Sequence, residues 1–391
     1  MRLERLDSDD PRDVLRALRA ALGAGPAVAL GSSDRPVPAE VPPGTAVVVT
    51  TSGSSGVPKS VALSRAALTA SALATASRIG AGQWLLPLAG GYIAGVQVLV
   101  RSLVQGTEPA ILSGRFSAAA FAHVAAGMRS SRGGERVPTY TSLVPAQLQT
   151  LVDAADADAE VARALASFAT ILVGGQALPQ ALRDRAARHG ARIVRTYGSS
   201  ETAGGCVYDG VPLDGVRVAA VDGELRIAGP TLADGYLGDP DLTARAFVRD
   251  DDGTRWYRTG DAGTVHDGVV RVTGRIDNVI VSGGINVSLD RVERTVREVP
   301  GLAGAVVVGV PHPRWGEAGA IVAARGDVSD PDAALAAARE AVAAAVGKPA
   351  RPARILLLDE LPRLASGKPD RVALRSLARD AAGGRAAPGT R

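Results

Sequence analysis

Apolar residues recur along the chain with two periods, and the alternation between them gives its first outline. Helical spacing runs over 11–22, beginning Pro11-Arg12-Asp13-Val14-Leu15, and a proline-rich approach over 36–44 leads into a predicted strand over 46–50. Beyond it the pattern predicts helices over 64–79, 93–104, 118–128, 145–152 and 179–188. Between them fall predicted strands over 83–88, 109–112, 137–142, 170–173 and 192–196. Alternation of this kind predicts a largely parallel sheet covered by helices, with the site in loops at the carboxyl ends of strands.

After about residue 215 the pattern changes. Apolar runs over 216–221 and 224–228 flank Asp222-Gly223, and runs over 263–266 and 269–273 flank Asp267-Gly268. Asp-Gly between apolar runs is a strong hairpin signal. Past Arg275 the chain reads strand 278–282, helix 289–299, strands 305–310 and 318–324, helix 332–346 and strand 354–358, a unit of domain size. The fold class is therefore α/β. A large N-terminal domain over 1–276 carries mixed, largely parallel sheets and a small antiparallel β portion, and a small α+β domain over 277–391 follows. The Ala-rich stretches 154–166 and 333–345 read as helices, and the tail after Arg379 as disordered.

Composition narrows the class. With 391 residues the chain exceeds one ordinary domain, and 46% hydrophobic content suffices for real cores. Lys+Arg 44 against Asp+Glu 40 is a nearly even balance without a basic block, which argues against a nucleic-acid surface. One cysteine, Cys206, excludes an intramolecular disulfide, and four scattered histidines have no metal-ligand spacing. The charged start Met1-Arg2-Leu3-Glu4-Arg5 lacks a signal peptide's apolar core, and the run from Ile93 to Val100 is too short to cross a bilayer. A cytoplasmic protein without membrane insertion is expected.

The stretch with most chemistry in it is Val49-Thr50-Thr51-Ser52-Gly53-Ser54-Ser55-Gly56-Val57-Pro58-Lys59. Glycines let backbone N–H groups converge on an anion, and hydroxyls and an ammonium add donors around it. Many Ser/Gly-rich loops are only turns. A Walker A loop needs its lysine directly after glycine, whereas Pro58 precedes Lys59 here. The stretch instead resembles the signature Thr-Ser-Gly-Ser-Thr-Gly-x-Pro-Lys-Gly of adenylate-forming enzymes, with Ser55 for the threonine and Ser60 for the last glycine.

Other motifs of that superfamily follow in its order, from Val47 to Arg371. Tyr197-Gly198-Ser199-Ser200-Glu201 resembles Tyr-Gly-x-Thr-Glu, Tyr257-Arg258-Thr259-Gly260-Asp261 resembles Tyr-Arg-Thr-Gly-Asp, and Gly274-Arg275-Ile276-Asp277 resembles Gly-Arg-x-Asp. Leu361-Pro362-Arg363-Leu364-Ala365-Ser366-Gly367-Lys368 resembles the C-terminal Pro-x-x-x-x-Gly-Lys motif. The resemblance implies that Thr51, Ser52, Gly53, Ser54, Ser55, Gly56 and Lys59 hold ATP phosphates. Gly174, Gly175, Gln176, Tyr197 and Gly198 then line the adenine, and Asp261 and Arg275 meet the ribose. Ser200 contacts phosphate, Glu201 coordinates Mg²⁺, and Lys368 is the catalytic cation. Asp277 is the hinge of a mobile C-terminal domain whose Ser282, Gly283 and Gly284 line a coenzyme A tunnel. Tyr92, Ser199 and Gly204 border the acyl pocket.

The implied reaction activates a carboxylic acid with ATP as an acyl-adenylate and passes the acyl group to the thiol of coenzyme A. Only about 50 residues precede the phosphate loop, so a reduced form is expected. That brevity, with Ile93-Ala94-Gly95-Val96-Gln97-Val98-Leu99-Val100-Arg101-Ser102 and the run from Glu201 to Gly215, resembles actinobacterial o-succinylbenzoate-CoA ligases of menaquinone biosynthesis. Tyr92 stands where such enzymes often have histidine. Another aryl- or acyl-CoA ligase, or an adenylation protein loading a carrier protein, remains an alternative. A homodimer is compatible with the resemblance.

Overall fold

The computed structural model describes residues 1–8, 10–31, 38–51, 58–128, 131–364 and 367–383. They form two compact units. The first comprises Met1–Val221, Leu225–Thr259 and Val265–Arg271, and the second Asp222–Glu224, Gly260–Thr264 and Val272–Arg391.

The first unit holds two large sheets. One runs in the order Leu3–Arg5, Ala27–Leu30, Thr45–Thr51, Lys59–Ser64, Gly235–Tyr236, parallel across its first three strands and antiparallel thereafter. The other has seven strands in the order Val211–Pro212, Gly204–Tyr208, Ile193–Ser199, Thr170–Val173, Thr139–Leu143, Gln83–Leu86, Ala110–Ile111. It is parallel from Ile193–Ser199 onward and antiparallel at the opposite edge. Leu85, Leu143, Ile171 and Val173 of these strands pack with Phe121, Leu148, Leu151 and Phe168 into an apolar core. The helix Ile93–Val104 is buried over eight consecutive residues, Gly95 to Ser102.

Several expected boundaries move for identifiable reasons. The strand expected over 83–88 ends at Leu86 because Pro87 has no N–H for the ladder. The Ala-rich stretch 154–166 is two helices: Pro145–Ala155 ends, and Asp158 caps Ala159–Ser167 by accepting from the Glu160 N–H. Lys59–Ser64, between the expected glycine loop and the helix expected from Ser64, is a strand. It pairs with Thr45–Thr51 on one side and Gly235–Tyr236 on the other, and only then does Ser64 cap the helix Arg65–Ile79.

Both Asp-Gly turns form with the expected positive φ, at Asp222 and Gly223 and at Asp267 and Gly268. Asp209-Gly210, with φ 47° and 87°, makes a third. The strands Arg255–His266 and Val269–Arg275 pair, and each contributes residues to both units.

The second unit is built on the strand order Ile285–Ser288, Val279–Ser282, Gly316–Ala324, Val306–His312, with Arg354–Leu358 parallel to Gly316–Ala324. Period-two alternation divides these strands between two cores. Val307 and Ile321 face the helices Leu289–Val296 and Pro331–Ala345, while Val306, Val308, Val310, Ala320 and Val322 face Leu374 and Ala378 of the helix Arg371–Gly383. That last helix corrects the expectation of disorder after Arg379 as far as Gly383; Asp370 caps it by accepting from the N–H groups of Val372 and Ala373. Residues 384–391 lie outside the described residues. Arg371 is tied down too: its Nη2 reaches both Glu293 oxygens at 2.8 Å, and Glu293 also accepts from Arg297 and the Val307 N–H.

Candidate active site

In the first unit, Thr51 and Lys59 stand opposite one another in the hairpin register. Ser52, Gly53, Ser54, Ser55 and Gly56 lie outside the described residues. The glycine-rich stretch thus joins two antiparallel strands, and no helix starts directly behind it.

Tyr197, Gly198 and Ser199 end the strand Ile193–Ser199, and Ser200 and Glu201 lie in the following 3-10 turn, Ser200–Thr202. Thr202 closes that turn: its hydroxyl accepts from the Ser199 N–H at 2.9 Å and donates to the Gly204 carbonyl at 2.8 Å. Ala203 then takes a left-handed conformation, φ 49°, and reverses the chain into Gly204–Tyr208. Position 198 strongly favours glycine, since a Cβ there would stand 2.1 Å from the Gly204 carbonyl oxygen. Ser200 and Glu201 are both buried.

Glu201 is held from two sides. Its carbonyl accepts from the Ala233 N–H at 2.8 Å, and its Oε1 accepts the Tyr236 hydroxyl at 2.8 Å. The Lys59 ammonium lies over the Tyr236 ring, 5.5 Å from its centroid, in the range of a cation–π contact. Gly174 and Gly175 follow the strand Thr170–Val173, where a Cβ on Gly174 would lie 2.2 Å from Thr196 Oγ1. The Gln176 amide nitrogen beyond them is buried without a partner among the described residues.

A cluster of buried polar groups that sequence reasoning missed adjoins this turn. Ser199 pairs with Gly204 across the strands, and a Cβ on Gly204 would stand 3.0 Å from Gln97 Cγ. Gln97 and Arg101 are one turn apart on the helix Ile93–Val104, which starts at Tyr92. Arg101 is 3% exposed, the one buried Lys or Arg among the described residues, and no carboxylate there pairs with it. Its guanidinium lies 4.8 Å from the Trp84 ring centroid and donates to the Tyr208 hydroxyl at 3.3 Å, which also bonds to Thr75. Burial pulls the Arg101 pKa below its ordinary value, and the Tyr208 hydroxyl opposes this.

Ser199 Oγ, both amide atoms of Gln97, Arg101 Nε and Trp84 Nε1 are all buried with no partner among the described residues. Leaving one such group unpaired costs about 1–3 kcal/mol, so their concentration in one place makes this a candidate seat for a polar ligand. The signal was available in the sequence: a Gln and an Arg at helical spacing inside an otherwise apolar run. Cys206 on the neighbouring strand is no nucleophile, because burial pushes its thiol up to about 12.

In the second unit the guanidinium of one expected site residue, Arg275, joins two others. Arg275 donates through Nε and Nη2 to the two Asp277 oxygens at 2.9 and 3.0 Å, and through Nη1 to Asp261 at 3.3 Å. Asp290 fixes the backbone beside it, accepting from the Arg275 N–H at 2.6 Å and the Asn278 amide at 2.7 Å. Ser282 is buried, and Gly283 and Gly284, both at positive φ, form the two-residue turn between Val279–Ser282 and Ile285–Ser288. Lys368 is exposed on a turn closed by the Leu364 N–H donating to its carbonyl at 2.8 Å.

Two family models match. The AMP-binding enzyme model covers residues 4–237 and the AMP-binding enzyme C-terminal domain model residues 291–368. This chain is an AMP-binding enzyme. It is 39% identical over 338 residues to a probable 2-succinylbenzoate–CoA ligase of Mycobacterium tuberculosis, covering 84% of this chain and 83% of that one.

Among solved structures, an o-succinylbenzoate CoA synthetase from Bacillus subtilis with its acyl-adenylate intermediate aligns at TM-score 0.71 and 26% identity, over 88% of this chain and 72% of that one. An amide bond synthetase from Marinactinospora thermotolerans aligns at 0.72 and 28%, over 91% and 76%. The chain is thus an acid–thiol ligase of the acyl-CoA synthetase kind, working through an adenylate. No helix of this AMP-binding enzyme among the described residues is long and apolar enough to cross a membrane.

Proposed function

We propose that the enzyme converts o-succinylbenzoate to o-succinylbenzoyl-CoA, a step of menaquinone biosynthesis, in the cytoplasm. The observation that carries this reading is the buried, carboxylate-free Arg101 among the unpartnered groups of Gln97, Ser199 and Trp84. A substrate with two carboxylates needs one at the nucleotide and a cationic seat for the other. A cation buried without a carboxylate partner is costly, and an anionic ligand offsets that cost.

In the first half-reaction a carboxylate oxygen of the substrate attacks the α-phosphorus of ATP and pyrophosphate leaves. Thr51, Lys59 and the loop between them take the phosphates, Ser200 a phosphate oxygen, and Gly174, Gly175, Gln176, Tyr197 and Gly198 the adenine. Asp261 and Arg275 hold the ribose, and Lys368 stabilises the charge that builds between attacking and leaving groups. Among the described residues no three His, Cys, Asp or Glu side chains could together hold a metal. A single carboxylate suits Mg²⁺, which takes its remaining ligands from water and nucleotide phosphates. Glu201 fits that role, with one oxygen on Tyr236 and the other without a partner among the described residues. Bound there, Mg²⁺ would neutralise phosphate charge.

In the second half-reaction the coenzyme A sulfur attacks the acyl carbon and AMP leaves. Residues 277–391 turn about Asp277, withdrawing Lys368 and bringing Ser282, Gly283 and Gly284 to the thiol's path.

The test is pyrophosphate release and thioester formation with a panel of acids, with and without coenzyme A. The expected result is a kcat/KM for o-succinylbenzoate at least about 10²-fold above that for 4-phenylbutyrate or a medium-chain fatty acid. Arg101→Gln should erase most of that margin while leaving the monoacids little changed. Equal kcat/KM for a monoacid in the unaltered enzyme would overturn the substrate, and transfer only to a carrier protein or an amine would overturn the acceptor.

A further inference from the structure

Tyr236 stands between two residues of the proposed phosphate and metal site, and no role attaches to it so far. Its hydroxyl donates to Glu201 Oε1 at 2.8 Å in a buried setting, and its ring lies beneath the Lys59 ammonium. The ring itself is well seated. Its backbone pairs with Val61, its N–H donates to Thr243 Oγ1 at 2.9 Å, and Phe247 packs 6.0 Å from its centroid. Gly235 lets it into this position, since a Cβ there would lie 2.5 Å from Thr243 Cγ2. A phenol this constrained can orient a carboxylate; it has no acidic or basic work to do against one.

We propose that Tyr236 is a positioning residue. By occupying Oε1 it fixes the Glu201 carboxylate in one rotamer and reserves the other oxygen for the metal–nucleotide complex. The ammonium of Lys59 over the ring draws electron density from the phenol, which strengthens the hydroxyl as a donor and ties the phosphate-binding lysine to the same carboxylate. This inference rests on the reading of Glu201 as the carboxylate that holds Mg²⁺.

The test uses the full chain and Mn²⁺ as probe, with free Mn²⁺ followed by electron paramagnetic resonance in the presence of a non-hydrolysable ATP analogue. Tyr236→Phe should weaken Mn²⁺ binding to the enzyme–nucleotide complex by roughly 10-fold, within the range of lost outer contacts to a metal ligand. Glu201→Ala should weaken it at least as much, and Tyr236→Phe should add nothing in the Glu201→Ala background. The Mg²⁺ concentration for half-maximal pyrophosphate release should rise by roughly the same 10-fold, with kcat at saturating Mg²⁺ nearly kept. Tyr236→Met, of similar volume and without the hydroxyl, should repeat the effect and serves if the phenylalanine variant folds poorly. If Glu201→Ala weakens Mn²⁺ binding and neither Tyr236 variant does, the positioning role is wrong while the reading of Glu201 stands. If Glu201→Ala leaves Mn²⁺ binding unchanged, both fall.

Discussion

Lys368 is exposed on a turn of its own unit, and Glu201 is buried on a turn of the other. In the proposed mechanism the two differ in when they act as well as where. Lys368→Ala should therefore lower adenylate formation by about 10²–10³-fold, the usual loss for one preorganised charge-stabilising group. Thioester formation from supplied acyl-adenylate should be nearly kept, and single-turnover assays of each half-reaction measure the contrast. Equal losses would make the lysine structural.

At this scale the sequence was uneven. Glycines and charged residues in fixed motifs could be singled out because a motif is local to a few neighbours. Arg101 and Tyr236 were not, since what distinguishes each is a partner far along the chain: Trp84 and Tyr208 for one, Glu201 and Lys59 for the other.

At the scale of elements, helices with their own caps and hairpins with Asp-Gly turns could be read closely, because short-range chemistry decides them. The helix expected over 93–104 and the strands over 170–173, 224–228 and 354–358 have those bounds in the structure. Lys59–Ser64 was hidden because its pairing partners are supplied from both sides, one of them more than 170 residues later. The turn that carries Glu201 offers a direct test of element geometry. Gly198 sits where the register between Ile193–Ser199 and Gly204–Tyr208 shifts, with Gly204 backbone against it. Gly198→Ala should cost about 1–3 kcal/mol through overpacking against atoms that cannot rotate away. Thermal unfolding should register the loss, and pyrophosphate release should fall further than stability alone explains, because Ser200 and Glu201 shift with the strand end.

For the whole molecule, the change of pattern near residue 275 suggested a division there, and the chain forms two units with discontinuous bounds. That 222–224 and 260–264 belong with the second of them was not legible, because strands threading from one body to the other carry no mark in their sequence. Asp277 lies two residues past Arg275, which grips its carboxylate. Asp277→Pro fixes φ near −65° and should leave single-turnover pyrophosphate release largely intact while suppressing acyl-CoA production. Asp277→Ala, which removes the ion pair without fixing the backbone, separates the two effects. Normal rates in both half-reactions for the proline variant would put the hinge elsewhere.

The buried guanidinium of Arg101 has a consequence for descent. A methionine in its place would fill the helix face without stranding a charge, and such replacements of buried ions commonly leave a fold as stable or more so. Folding alone therefore gives little reason to prefer the arginine; under the proposed reading, the second carboxylate of the substrate supplies one. In a duplicated copy freed from that demand, position 101 is where drift would run downhill in energy. If the proposed role of Arg101 holds, a ligase for a plainer acid lies one substitution away, on an unchanged scaffold.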